Sequence, residues 1–120
     1  MTFQEFLIEG FIGHYARHHL AGTAYALLTG GAILLCMLTY LVGSLNFSII
    51  ISKHYHNDDI RNYGSGNAGT TNMLRTYGRR AAVLTLIGDA LKAIVSTLYG
   101  YALLGFTGAY VAGFFCILGH

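Results

Sequence analysis

The sequence predicts an all-α integral membrane protein with about three transmembrane helices, and three observations lead there. Residues 20–52 contain no Asp, Glu, Lys or Arg, and crossing a bilayer takes ~20 apolar residues. Two further apolar runs follow: 81–104, interrupted by Asp89 and Lys92, and 106–118. The mean hydropathy is +0.52 and only 10% of the 120 residues are charged, too few for the surface of a soluble domain of this size.

Composition also excludes several classes. The formal net charge is +2 and no run of Lys and Arg exists, so nucleic acid is not an expected partner. Cys36 and Cys116 both lie in apolar runs and read as reduced packing residues rather than a disulfide framework. The start, "MTFQEFLIEG", carries acids instead of a basic n-region and is a poor signal peptide.

Residues 1–22 read as an amino-terminal interfacial or extracellular segment, ahead of a partial polytopic membrane domain at 23–120. Within it, residues 1–19 form a helix: Phe3, Leu7 and Phe11 recur at four-residue steps, with Ile8, Ile12 and Tyr15 beside them. A terminal extension packed on its neighbours fits the same residues. His14 and His18 have a spacing that zinc sites use, but no third ligand stands near them in sequence, and no metal site is assigned.

The first span is expected over residues 23–51. Gly22, Ala26 and Gly30 form a small-residue seam at which another helix can approach. The polar loop 53–80 carries Lys53, Arg61, Arg75, Arg79 and Arg80, five of the seven basic residues, which places it in the cytoplasm and the amino terminus outside. The second helix, 81–104, then runs outward, with Tyr99 and Tyr101 near its far end. "GYALLGFTG" turns the chain, and a third helix at 106–120 brings His120 back toward the side of the polar loop.

That loop contains "YGSGNAGTTNMLR", residues 63–75, which fits G-x-G-x-x-G. A dinucleotide site needs a buried strand feeding the first glycine, and "SKHYHNDDIRNY" is no such strand. The loop also lacks the G-K-[ST] ending of a Walker A motif, so nucleotide binding is rejected. Two readings stay open on residue chemistry alone. One is a flexible linker. The other is a phosphate cradle, in which Gly64, Gly66 and Gly69 adopt positive φ and turn their amides toward one anion. Ser65 is small enough to bond that anion, and Arg75 supplies a fork of donors. Thr70, Thr71 or Asn72 would cap a helix beginning near Met73.

"DIRNYGSGNAGTTNMLRTYG", followed by an apolar stretch with "GDALKA", resembles the bacterial acyl-phosphate glycerol-3-phosphate acyltransferases, the PlsY family. "YLVGSLNFSIIISK" looks like that family's first membrane helix, and the terminal "ILGH" like the start of its second motif. The resemblance covers residues 40–120. It implies a seven-helix bundle in the inner membrane that transfers a fatty acyl group from acyl phosphate to glycerol 3-phosphate, giving lysophosphatidic acid. No cofactor, metal or obligate protein partner is expected, and the lipid bilayer is the expected surrounding of the chain. Ser65 and Arg75 match the motif positions that hold phosphate groups, Gly66 and Asn67 the loop backbone around them, and His120 the second-motif histidine lining the site. Ser65, Arg75 and His120 are therefore the expected catalytic residues. Gly64, Gly69, Thr71 and Asn72, from the cradle reading, join Gly66 and Asn67 as expected substrate-binding residues.

Thr70 stands where many members have alanine, and Asn46 where many have proline, which is expected only to alter how the first helix bends. The family's lysine-bearing glycine run and third motif are absent, so the chain is expected to be a fragment. Asp89 and Lys92 are i, i+3 neighbours able to pair; intramembrane charge is a functional signal by default, yet a structural pair fits equally well. Both are left out of the site. The competing class is a small non-catalytic membrane interaction or scaffold protein with an inert loop.

Overall fold

The computed structural model describes every residue except Leu20, and no side chain is described at positions 12, 15, 16, 18, 19, 21, 22, 24 and 25. Among the described residues all regular structure is helical: α1 (Phe3–His19), α2 (Ala21–Ser44), α3 (Phe47–His56), a 3-10 turn (Ile60–Asn62), α4 (Thr70–Tyr77) and α5 (Arg79–Gly119). Two segments are long and apolar enough to cross a membrane, Ala26–His56 and Arg79–Gly119. Leu34, Met37 and Leu41 on α2, and Leu91, Val95 and Leu98 on α5, are exposed. Large apolar side chains left outside in such numbers suit lipid contact and fit an integral membrane protein.

The chain divides into two compact units, Met1–Ser44 with Lys92–His120, and Leu45–Leu91. In the first, two helices are broken at glycines of positive φ: α1 at Gly10 (67°) and α5 at Leu104 and Gly105 (64° at the glycine). The breaks pack on one another, because a Cβ on Gly10 would strike the backbone of Leu103 and Gly105. Beyond its break α5 doubles back on itself. Gly100 and Gly108 lie backbone to backbone, and the Cys116 thiol sits 4.0 Å from the Lys92 carbonyl. The break falls inside the "GYALLGFTG" stretch expected to turn. Tyr101 in that stretch packs edge-on against Phe6 and Phe106.

The second unit is held by Ile51, Ile60, Met73 and Ala81, with Phe47, Ile49, Ala68 and Tyr77 packed around them. Here the expected continuous helix over 23–51 is corrected. α2 stops at Ser44 and α3 starts afresh at Phe47, because Asn46 caps it: the Asn46 Oδ1 accepts from the Ile49 amide at 3.2 Å. Asn46 therefore starts a helix rather than bending one. α3 ends at Asn57, whose left-handed conformation (φ 51°) lets its amide reach the Ser52 carbonyl.

The small-residue seam is unoccupied at Gly30: among the described residues nothing approaches a Cβ placed there. Ala26 and Gly30 are exposed; Gly22 lies outside the described side chains. Close approach occurs instead at Gly43, where a Cβ would collide with the Cys116 carbonyl, and at Gly119 against Tyr40. The proposed apolar stripe on α1 is interrupted by the Gly10 break, and Phe3, Ile8 and Phe11 are exposed, while Ile12 and Tyr15 lie outside the described side chains. His18 likewise lies outside them, and no metal-holding group of His, Cys, Asp or Glu occurs among the described residues.

Candidate active site in the glycine loop

The loop 57–69 is not a slack linker, because one buried side chain gathers it. Asn72, on α4, is 2% exposed. Its Nδ2 donates to the carbonyls of Tyr63 and Asn67, both at 2.9 Å, and of Ile60 at 3.3 Å. Its Oδ1 accepts from the Ser65 amide at 3.3 Å and from the Thr76 hydroxyl at 3.5 Å. Buried polar groups must find partners, and this amide finds them in loop carbonyls that each also accept one backbone amide, so it ties three separate turns to α4. Gly64 is required where it stands. Its φ is 55°, and a Cβ there would collide with the Asn72 Oδ1.

Further bonds pin both ends of the loop. The Asn46 Nδ2 donates to the Ala68 carbonyl at 3.3 Å, and the Ser52 hydroxyl accepts from the Ile60 amide at 3.2 Å. Asp59 caps the 3-10 turn through the Arg61 amide at 3.0 Å and takes a two-pronged bond from the Arg61 guanidinium, 2.7 Å at its shortest. That hydrogen bonding holds the Asp59 carboxyl at about 2, well below its ordinary 3.8, with Lys53 adding attraction from 3.8 Å. The Tyr63 hydroxyl donates to Asp58, which raises the phenol's pKa. His56 stacks on Tyr77 at 4.0 Å.

Several expectations about the cradle change. Gly64 and Gly66 have positive φ, but Gly69 is extended at −151° and serves as the N-cap of α4. The helix begins at Thr70, not near Met73, and no side chain caps it, so none of Thr70, Thr71 and Asn72 plays that part. The amides of Ser65, Gly66 and Gly69 do not converge on a vacant point: they bond to Asn72 Oδ1, the Tyr63 carbonyl at 2.9 Å and the Asn67 carbonyl at 3.1 Å. The first intrahelical bond of α4 is Met73 N to Gly69 O. The amides of Thr70, Thr71 and Asn72 precede it and form the positive end of the helix.

What remains at the surface is chemically specific. Ser65, Asn67, Thr71 and Arg75 are exposed. The Ser65 hydroxyl and Asn67 amide on the loop, and the Thr71 hydroxyl and Arg75 guanidinium on α4, are a donor set suited to an anion. Asn72 is the exception among the predicted loop residues, since it positions the others and is too buried to meet a substrate.

His120 lies in the other unit, at the end of α5, with its Nδ1 2.7 Å from the Lys92 Nζ. The same ammonium donates to the Gly43 carbonyl at 3.0 Å, an acceptor exposed by the end of α2. Lys92 is 7% exposed. Its charge in an apolar run is its signal in the sequence; Gly43 and His120, which it meets in the fold, lie 49 and 28 residues away.

The chain was compared with known proteins. The family model described as glycerol-3-phosphate acyltransferase matches residues 33–120. A glycerol-3-phosphate acyltransferase of Thermoanaerobacter sp. (strain X514) is 46% identical over 89 residues, which cover 74% of this chain and 45% of that protein. One from Neisseria meningitidis serogroup C / serotype 2a is 58% identical over 60 residues, half of this chain and 30% of the relative. The chain thus spans about half the length of the relatives it matches. No solved structure matches it. The matched region contains the Asn72-wired loop, Lys92 and His120 together, and on that ground the chain belongs to the glycerol-3-phosphate acyltransferase family.

Proposed function

We propose that this chain is the amino-terminal part of a membrane acyltransferase that moves a fatty acyl group from acyl phosphate to glycerol 3-phosphate, forming lysophosphatidic acid for phospholipid synthesis. The observation behind this reading is the loop itself: a buried amide fixes its shape, Ser65 is left exposed on it, and Arg75 is exposed in the last turn of α4, the helix that carries that amide. Both substrates are phosphate esters or anhydrides, and their mutual repulsion must be cancelled before they react. Arg75, Ser65 and the α4 amides do this in the proposal, aided by Asn67 and Thr71, with Gly64, Gly66 and Gly69 shaping the backbone.

The chemistry needs no covalent enzyme intermediate. The 1-hydroxyl oxygen of glycerol 3-phosphate bonds to the acyl carbon as the bond from that carbon to phosphate oxygen breaks. The hydroxyl proton passes to the departing phosphate, which leaves as inorganic phosphate. His120 assists at an oxygen of the reacting groups. No metal and no cofactor enters this scheme.

In the same reading, residues 1–22 form an interfacial or extracytoplasmic segment, and three crossings contribute to a larger bundle of seven helices in the inner membrane. The glycine loop faces the cytoplasm. The excess of Lys and Arg at 53–80 supports that sidedness.

The test uses the complete protein in detergent or nanodiscs. Lysophosphatidic acid formation is measured with acyl phosphate, an acyl carrier protein thioester and an acyl-CoA as donors. The reading expects product from acyl phosphate, and a loss of about tenfold or more in Ser65→Ala, the worth of one hydrogen bond to an ion. Product from the thioesters alone would replace acyl phosphate as donor. No product from any donor would favour a non-catalytic membrane protein.

A further inference from the structure

Lys92 is buried, charged and absent from the scheme above, yet it touches the ring of His120. An ammonium has three donors and no acceptor. The His120 Nδ1, 2.7 Å away, is therefore the acceptor of that contact, and the ring's single proton belongs on Nε2. The ammonium cannot follow a drifting ring, because its second bond, to the Gly43 carbonyl at 3.0 Å, ties it to the end of α2. Gly43 itself is held by the Cys116 carbonyl against its α-carbon, which leaves no room for a side chain. The His120 amide bonds back to the carbonyls of Cys116 and Ile117, both at 3.1 Å, so the backbone carrying the ring is anchored on the same turn.

We propose that Lys92 is a positioning residue that locks His120 in the Nε2–H tautomer, so that His120 serves the acyl transfer as a hydrogen-bond donor to a substrate oxygen and not as a general base. This rests on the acyltransferase reading. A base would need its free nitrogen turned toward the acceptor hydroxyl, and here the nitrogen with the lone pair is the one occupied by the ammonium. A donor at Nε2 stabilises negative charge that grows on oxygen during acyl transfer. It also leaves the proton of the attacking hydroxyl to the departing phosphate, in keeping with the balance given above.

The experiment uses the complete protein, labelled with 15N in its histidines, with His120→Ala identifying the His120 signals. Wild type should show an unprotonated, pyridine-type Nδ1 and a pyrrole-type Nε2. Lys92→Met should turn these into a mixed-tautomer pattern and lower kcat for lysophosphatidic acid formation by about tenfold, the worth of one hydrogen bond to an ion. His120→Gln, which retains an N–H donor but cannot act as a base, should keep far more activity than His120→Ala. A protonated Nδ1 in wild type, or His120 signals unchanged in Lys92→Met, overturns the proposal. So does a His120→Gln variant as inactive as His120→Ala. If wild type forms no lysophosphatidic acid, the acyltransferase reading fails separately, while the nitrogen signals still decide which ring nitrogen Lys92 occupies.

Discussion

Asn72 shows how a single side chain can turn a glycine-rich stretch into a defined surface. Its amide meets three carbonyls and one backbone amide of the loop. Asn72→Ala should remove one of two hydrogen bonds at each of those carbonyls and take the Asn72 acceptor from the Ser65 amide, at ~0.5–1.5 kcal/mol for each bond lost. The complete protein should then melt several degrees lower, and amides 60–69 should exchange faster; an unchanged exchange pattern would show that the loop has another organiser. Gly64→Ala should do comparable damage, through its positive φ and the collision with Asn72. The types of the site residues were legible in sequence, since hydroxyls, amides and an arginine crowd one polar stretch. The role of Asn72 was not. Its partners lie five to twelve positions back, and only the fold of the loop brings them within reach. The same holds for Lys92, whose identity as an intramembrane charge was visible but whose partners were not.

Between residues and the whole chain, the elements follow from caps and breaks more than from hydropathy. The charge-free run at 20–52 announced a span but hid its interruption, although Asn46 ahead of "FSIII" is a capping signal in plain view. The fold-back of α5 was readable from the glycines around Leu104, because a Gly105 of positive φ ends a helix without a Cβ penalty. The 3-10 turn Ile60–Asn62 gives a pH prediction. The Asp59 carboxyl is depressed from 3.8 to about 2, so its anchoring of Arg61 is fully present above 3.8 and disappears as pH falls through about 2. Hydrogen exchange at amides 60–64, corrected for intrinsic rates, should therefore be flat at neutral and mildly acidic pH. It should rise only across that acidic window. In Asp59→Asn the faster exchange should be present at every pH, and a wild-type transition near neutrality would contradict the assignment.

For the whole molecule, two long apolar segments with lipid-suited exteriors, Ala26–His56 and Arg79–Gly119, are separated in sequence by the polar stretch 57–78. The distribution of basic residues makes sidedness a prediction. A cysteine at Asn67, in a complete protein lacking Cys36 and Cys116, should react with an impermeant thiol reagent in inside-out vesicles and resist it in sealed cells. The reverse pattern would place the loop outside. The account's central claim is that Arg75, on the helix that follows the Asn72-wired loop, meets a substrate phosphate, and phosphate release from acyl phosphate by the complete Arg75→Ala protein tests it most directly. With helical content and melting unchanged, the account predicts a rate at least ~100-fold below wild type, the scale for removing a donor that holds transition-state charge; a wild-type rate would contradict it.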